Sequence, residues 1–460
     1  MKKILLMIWV GMAFAGCNDW FDVSPKTEMK ADDMFQDERG FRDALIGSYS
    51  LMTVNETYGK EMVMGFTEVL AQSYDGLASS LTSPYLNTAK YAYAEASEEG
   101  KLKGIWKNQY KVIANLNGML SYVEGQKKVF APCMYEVVKG EALALRGFLH
   151  FDLLRLYAPA PVMGEELNAI PYVDSYTNQA FPQLTVGQVL QRIVADVDSA
   201  RNYLKTADYW RPGAVEADSA NFSVYFRERV IHMNYYAATA LLARVYLYQG
   251  EKGKAFTLAK EVIDSKRFPL IAGGGITSVS RLFPKEHIFS ISKDKFNKVI
   301  EGFFSQGNTM DPVSVTAAKV SQLYDNESIN TDLRRTWWFE DTKIVKFNNS
   351  SRVALIRVPE MYLIAAESAQ TTAEGLAYLN ELRIHRNLRA LDDFGDDRTG
   401  FEQALYDEML RELFLEGQLF YYFKRNNQTK LPGLGEPIDP KVVYCPPIPL
   451  EEFEFGNMKN

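Results

Sequence analysis

The side chains that most often carry catalysis are present but scattered. The four histidines, His150, His232, His287 and His385, fall at intervals that match no metal-ligand spacing. No Gly-x-Ser-x-Gly turn presents a nucleophilic serine, and no glycine-rich loop opens a helix as a phosphate cradle would. Gly273-Gly274-Gly275 reads as a flexible loop with no nucleotide fingerprint behind it. The paired carboxylates of glycoside hydrolysis meet in space rather than in sequence, and among 58 acidic residues a chance pair is expected. A surface hydrolase is therefore an alternative without a signature. No cofactor or metal is expected.

Binding chemistry is better represented. Hydroxyl-rich flat ligands need aromatic faces for their C–H surfaces and amides, carboxylates or guanidinium groups for their hydroxyls. Such residues cluster at Tyr74-Asp75, Tyr85, Asn87, Tyr91 and Tyr93, again at Tyr209-Trp210-Arg211, and again at Phe303, Phe304, Gln306 and Asn308. Trp210 is the leading stacking residue, because it lies in a Pro- and Gly-containing stretch rather than on an apolar helical face. The expected site is a shallow exposed platform. The chain has 27 Phe, 26 Tyr and 6 Trp, and in a helical protein most of these fill the core, so any one of them can equally be a packing residue. Trp337-Trp338-Phe339 is read as mainly structural.

These clusters sit between helices. Phe41, Ala44, Leu45 and Tyr49 share one helical face, and Trp106 to Val123 repeats apolar residues at helical spacing. Glu141 to Tyr157 is apolar nearly all round, the mark of a buried helix, and Pro159 and Pro161 stop it. Thr185 to Leu204 is amphipathic. Ile231 to Leu270 predicts a helical hairpin turning at Gly250, with alanines where the helices cross, like a tetratricopeptide unit. Met361 to Ala369 and Ala373 to Leu388 form a related pair. Four inserts separate the helices: Ser73 to Gly104, Ala158 to Pro182, Lys205 to Arg229 and Ile271 to Ser351. Long inserts in a helical scaffold are where ligand chemistry belongs. Glu141, Arg146, Arg244, Glu367, Arg411 and Glu416 lie on otherwise apolar helices and are expected to form interhelical ion pairs.

The N-terminus carries an address. Lys2 and Lys3 precede an uncharged stretch, Ile4 to Ala15, too short to span a bilayer, and Ala15-Gly16-Cys17 resembles a bacterial lipobox. Residues 1–16 then form a lipoprotein signal peptide and Cys17 takes the acyl chains that anchor the protein. Residues 17–30 form a lipidated tether, and 31–460 a single domain. The net charge of −7 and the lack of a basic block argue against nucleic-acid binding. Cys133 and Cys445 are assigned neither a bridge nor a metal.

With these residues in hand, the chain resembles the SusD/RagB family. The opening Cys17-Asn18-Asp19-Trp20-Phe21-Asp22-Val23-Ser24-Pro25, the helix Glu141 to Phe148 with Phe151-Asp152-Leu153, and the stretch Ala240 to Tyr248 are similar to its conserved-looking segments. So are Arg357, Glu360 and Tyr362-Leu363-Ile364, then Arg411-Glu412-Leu413, Glu416-Gly417, Lys424-Arg425 and Ile448-Pro449. Two departures stand out: Tyr422-Phe423 replaces the usual Asp-Leu pair, and Gly147 replaces the usual Ala. The resemblance implies a mainly α, tetratricopeptide-like scaffold whose inserts carry the ligand face. It implies an outer-membrane lipoprotein rather than an enzyme. Such a protein captures oligosaccharides, or peptides in RagB-like members, for a SusC-like TonB-dependent transporter.

Overall fold

The computed structural model describes residues 31–76, 83–208, 225, 228–272, 281–304, 313–325 and 331–458. The main helices are α1 (Glu38–Leu51), α2 (Ala96–Val123), α3 (Met134–Tyr157), α4 (Val186–Ala207), α5 (Tyr235–Tyr248) and α6 (Lys252–Asp264). They continue as α7 (Val358–Ser368), α8 (Thr372–His385), α9 (Arg398–Glu412) and α10 (Leu419–Arg425).

The apolar run around Glu141 to Tyr157 sits at the centre, as its composition requires. Every residue of α3 except Glu136 and Lys139 is buried. Its closest neighbour is α4, and two glycines explain the approach. A Cβ placed at Gly147 would lie 2.5 Å from Val197 Cγ2, and one at Gly140 would lie 2.7 Å from Leu204 Cγ. The Gly147 that departs from the family pattern thus answers to Val197 across the interface. Helix α4 starts where its sequence says it should: the Thr185 hydroxyl accepts from Gln188 N, and the Gln188 side chain accepts from Thr185 N.

The predicted hairpin is α5 and α6. Asn234 caps the first helix by accepting from Ala237 N at 3.0 Å, and Gly250 turns the chain at φ +82°. Helix α6 packs next on α7, and α7 on α8, which gives the stacked helical pairs of a tetratricopeptide-like scaffold. Buried side chains from Phe35 to Met458 form one contiguous core.

The inserts hold more regular structure than their sequences suggest. Helix α2 begins at Ala96, inside the first insert. In the fourth, β1 (His287–Ser292) pairs antiparallel with β2 (Arg352–Arg357), the strand that follows the insert, and short helices span Phe296–Phe303, Ala317–Tyr324 and Leu333–Trp338. Trp338 is fully buried, and its indole donates to Arg281 O at 2.9 Å, which makes it the structural residue expected.

Most of the charged positions pair between elements. Glu141 meets Arg229, Arg146 meets Asp196, Arg244 meets Glu360, and Glu367 meets Arg425. Glu416 pairs with both Arg357 and Lys346. Arg411 differs from the expectation: its ion pair is with Glu408, one turn back on its own helix, and its Nε donates to Leu323 O at 2.7 Å. These pairs feed a buried network in which Glu412 accepts from Arg334, Arg357 and Arg386. Those arginines hold its carboxyl far below the usual range against the opposing effect of burial.

Candidate ligand-binding face

The first and fourth inserts, about 240 residues apart in sequence, meet edge to edge. Gly76 N donates to Ser314 O at 3.0 Å, and Ser314 Oγ donates back to Gly76 O. A Cβ at position 76 would lie 2.2 Å from Ser314 Oγ, so any larger residue would displace the hydroxyl from this bond. Beside it, the exposed Asp75 carboxylate accepts from Thr316 N at 2.7 Å and from Thr316 Oγ1 at 2.5 Å. Thr316 in turn caps the Ala317–Tyr324 helix through Lys319 N, and Lys319 Nζ reaches back to Gln72 O at 3.3 Å.

Beneath this junction lie the aromatics that the sequence offers as platforms, and here the expectation is corrected. Tyr74 is 4% exposed and its hydroxyl donates to Met64 O at 2.6 Å. Tyr85 is 2% exposed; its hydroxyl donates to Glu61 Oε1 at 2.8 Å and its ring meets Phe303 edge-on at 5.7 Å. Phe303 and Phe304 are buried, the latter stacked on Phe347. Tyr93 is buried, its hydroxyl on Val443 O, and Tyr91 is half-buried, its hydroxyl on Leu70 O. None of these buried rings offers an open face. Each finds its partner on another element, and burying a ring stabilises more than leaving it wet. Tyr74, Tyr85, Phe303 and Phe304 form one aromatic cluster between the two inserts.

Polar groups form the surface. Asp75 is exposed, and half-exposed Asn87 donates weakly to Ser97 Oγ at 3.3 Å. Lys60 and Lys101 stand over the Tyr85 ring, with Nζ 5.9 and 5.2 Å from its centroid. Neither lysine, nor Thr316 or Lys319, was expected here. Lys60 and Lys101 pair locally, with Glu61 and Glu98, whereas the partners of Thr316 and Lys319 lie 241 and 247 positions away in sequence. Tyr209, Trp210, Arg211, Gln306 and Asn308 lie outside the described residues, as does Cys17. The described ends of the third insert gather at Glu141: Tyr225 donates to it at 2.7 Å, and Arg229 bridges it to Asp208.

A buried carboxyl underlies the junction. Glu68 accepts from Ser73 Oγ at 2.5 Å and from Gly417 N at 2.7 Å, and burial pushes its pKa up to about 7. The hydrogen bonds and the nearby Lys346 only partly offset that. Elsewhere, burial pulls His150 down to about 3 and His287 down to about 4, so both are neutral packing groups. His150 Nε2 accepts from Val173 N. Cys133 and Cys445 are free thiols. Among the described residues no cluster of His, Cys, Asp and Glu could hold a metal ion, and no helix is long and apolar enough to cross a membrane.

Stacked helical pairs that bring two distant inserts together at one edge define a helical-repeat scaffold with an insert-built face. Comparison with known proteins narrows the class. Residues 19–247 match the family model described as starch-binding and associating with the outer membrane. A SusD-like protein of Formosa agariphila is 20% identical over 90% of this chain and 87% of its own. Among solved structures, a putative sugar binding protein from Bacteroides vulgatus superposes with a TM-score of 0.72 at 21% identity, covering 92% of this chain and 98% of that one. A laminarin binding SusD-like protein superposes with a TM-score of 0.61 at 17% identity over the same shares. The chain belongs to the SusD-like family.

Proposed function

We propose that this protein is a lipid-anchored lipoprotein of the cell surface that captures oligosaccharides and hands them to a SusC-like TonB-dependent transporter in the outer membrane. The family assignment carries this reading, since the matched family is itself described as starch-binding and outer-membrane-associated. The laminarin-binding neighbour makes β-glucans the first ligands to test. The junction of the first and fourth inserts is the proposed capture face. Asp75 and Asn87 supply hydrogen bonds there, and Tyr74, Tyr85 and Phe303 support the surface from below. Tyr209, Trp210, Arg211 and Asn308 complete the proposal from sequence alone.

Two measurements test it. Calorimetric titration with glucan, xylan and mannan oligosaccharides, and with a peptide pool, identifies the ligand class; peptides in place of sugars would give the RagB-like reading. Against the ligand found, Trp210→Ala is expected to bind at least about tenfold more weakly with an unchanged melting temperature, roughly 1.4 kcal/mol. Unchanged affinity removes Trp210 from the face. Co-purification from outer membranes in mild detergent is expected to bring a barrel transporter in stoichiometric amount. Recovery of the lipoprotein alone refutes the delivery role.

A further inference from the structure

A second binding region lies away from the proposed capture face and shares no residue with it. Helices α9 and α10 and the segment 426–430 enclose an open groove of about 690 Å³, within the size range of small-ligand sites. Tyr406 and Tyr422 line it, half-buried, with ring centroids 6.1 Å apart and planes inclined at 40°. Arg425 backs the Tyr422 ring at 5.0 Å and is itself held by Glu367 through two hydrogen bonds. A platform fixed in this way needs little ordering when a ligand arrives. Neither tyrosine hydroxyl has a hydrogen-bond partner among the described residues. Burial pushes Tyr406 up to about 12, so its hydroxyl stays a donor at neutral pH.

The rest of the lining is chemically mixed. Gln403, Asn426 and Gln428 bring amides, Arg398 and Glu402 form an ion pair at 2.8 Å, and Lys430 adds an ammonium. Such a lining suits a neutral ligand with many hydroxyls: angled aromatic rings for C–H faces, amides and a paired charge for oxygens. A peptide would need apolar pockets for its side chains, and Phe401 and Leu405 of the lining are themselves buried in the core.

We propose that the groove is a second carbohydrate-binding site, with a pyranose ring stacked against Tyr406 and Tyr422. It rests on the reading that the protein binds sugars at all, and the test separates the two. The full chain in detergent is titrated with hexasaccharides of β-1,3-glucan, α-1,4-glucan, xylan and mannan, and with a peptide pool as competitor. Wild type is expected to bind two equivalents of one sugar, and Tyr406→Ala with Tyr422→Ala one, the other equivalent weakening at least about tenfold. The Tyr406→Phe, Tyr422→Phe variant keeps the stacking and is expected to keep both equivalents, with a smaller loss at one. It also controls for folding. A single equivalent lost in the alanine variant but kept in Asp75→Ala sustains the groove and counts against the capture face. A single equivalent kept in the alanine variant overturns the groove and leaves the proposed function standing. No sugar bound, or sugar displaced by peptide, overturns both.

Discussion

Glu141 gives the sharpest test of how this fold is held. Its carboxylate lies in the core on α3 and accepts from Tyr49 at 2.7 Å, from Tyr225 at 2.7 Å and from Arg229. Burial by itself would raise its pKa; Arg229, His232 and the Tyr49 hydrogen bond together more than reverse that, and the value falls from 4.5 to about 2. A carboxyl held near 2 when folded and near 4.5 when unfolded contributes about 3 kcal/mol at neutral pH. Breaking a buried pair from one side costs a similar amount, about 3–5 kcal/mol. Arg229 keeps Asp208 in the variant, so the lower figure applies. Glu141→Gln is therefore expected to lose about 3 kcal/mol at pH 7. For a chain of this length the unfolding entropy is about 0.9 kcal/mol per kelvin, so the melting point should drop by about 3 °C. The sign of the pH dependence follows from the depressed value. The contribution is complete above the unfolded pKa and drains away as pH falls from about 4.5 towards 2, leaving less than half at about pH 3. Paired thermal melts by circular dichroism at pH 7 and pH 3 measure both. Equal stability at pH 7, or a gap at pH 3 as large as at pH 7, refutes the assignment of charge to this group.

Three further outcomes are expected. Glu68 is raised to about 7, so the folded chain loses stability as pH climbs from about 4.5 to 7; Glu68→Gln should melt higher than wild type at pH 8 and close to it at pH 5, by the same thermal melts. Gly147→Ala should destabilise by about 1–3 kcal/mol through overpacking against Val197, less any gain in helix propensity. Adding Val197→Ala should recover part of that loss, and denaturant titration of the single and double variants decides it. Cys17→Ala should leave a folded protein released from the outer membrane, and retention at wild-type level in the absence of the transporter would refute the lipobox reading.

The helices were legible because their information is local. Periodicity in Glu141 to Tyr157 and Ile231 to Leu270 fixes which residues share a face, and caps such as Thr185 and Gly250 lie in the same short stretch they terminate. The ion pairs were half legible. A charge on an apolar helix must find a partner, but only the fold reveals that Glu141 takes Arg229, 88 residues away. The site was least legible. Tyr74 and Tyr85 sit in a stretch that reads as a loop, which suggested exposure. Their rings are covered by Phe303 and Phe304, which arrive from more than 200 residues downstream. Asp75 and Thr316 meet across 241 positions with no shared pattern to announce it.

The central helix is completed late. Its Glu141 is neutralised by Arg229, and the carbonyls near its C-terminal end, at Arg155 and Leu156, accept from Lys424 Nζ, 269 and 268 residues downstream. Until Lys424 is present those groups would have to sit unsatisfied in an apolar interior. An N-terminal fragment ending before it lacks what it needs to close its own core. Closure over such sequence distances is slow, because chain entropy is lost before the contacts repay it. For the exported lipoprotein proposed above, that delay has a use. A polypeptide threading a translocation channel must stay open, and one whose core cannot lock until its last quarter has been synthesised gains a window in which to be exported.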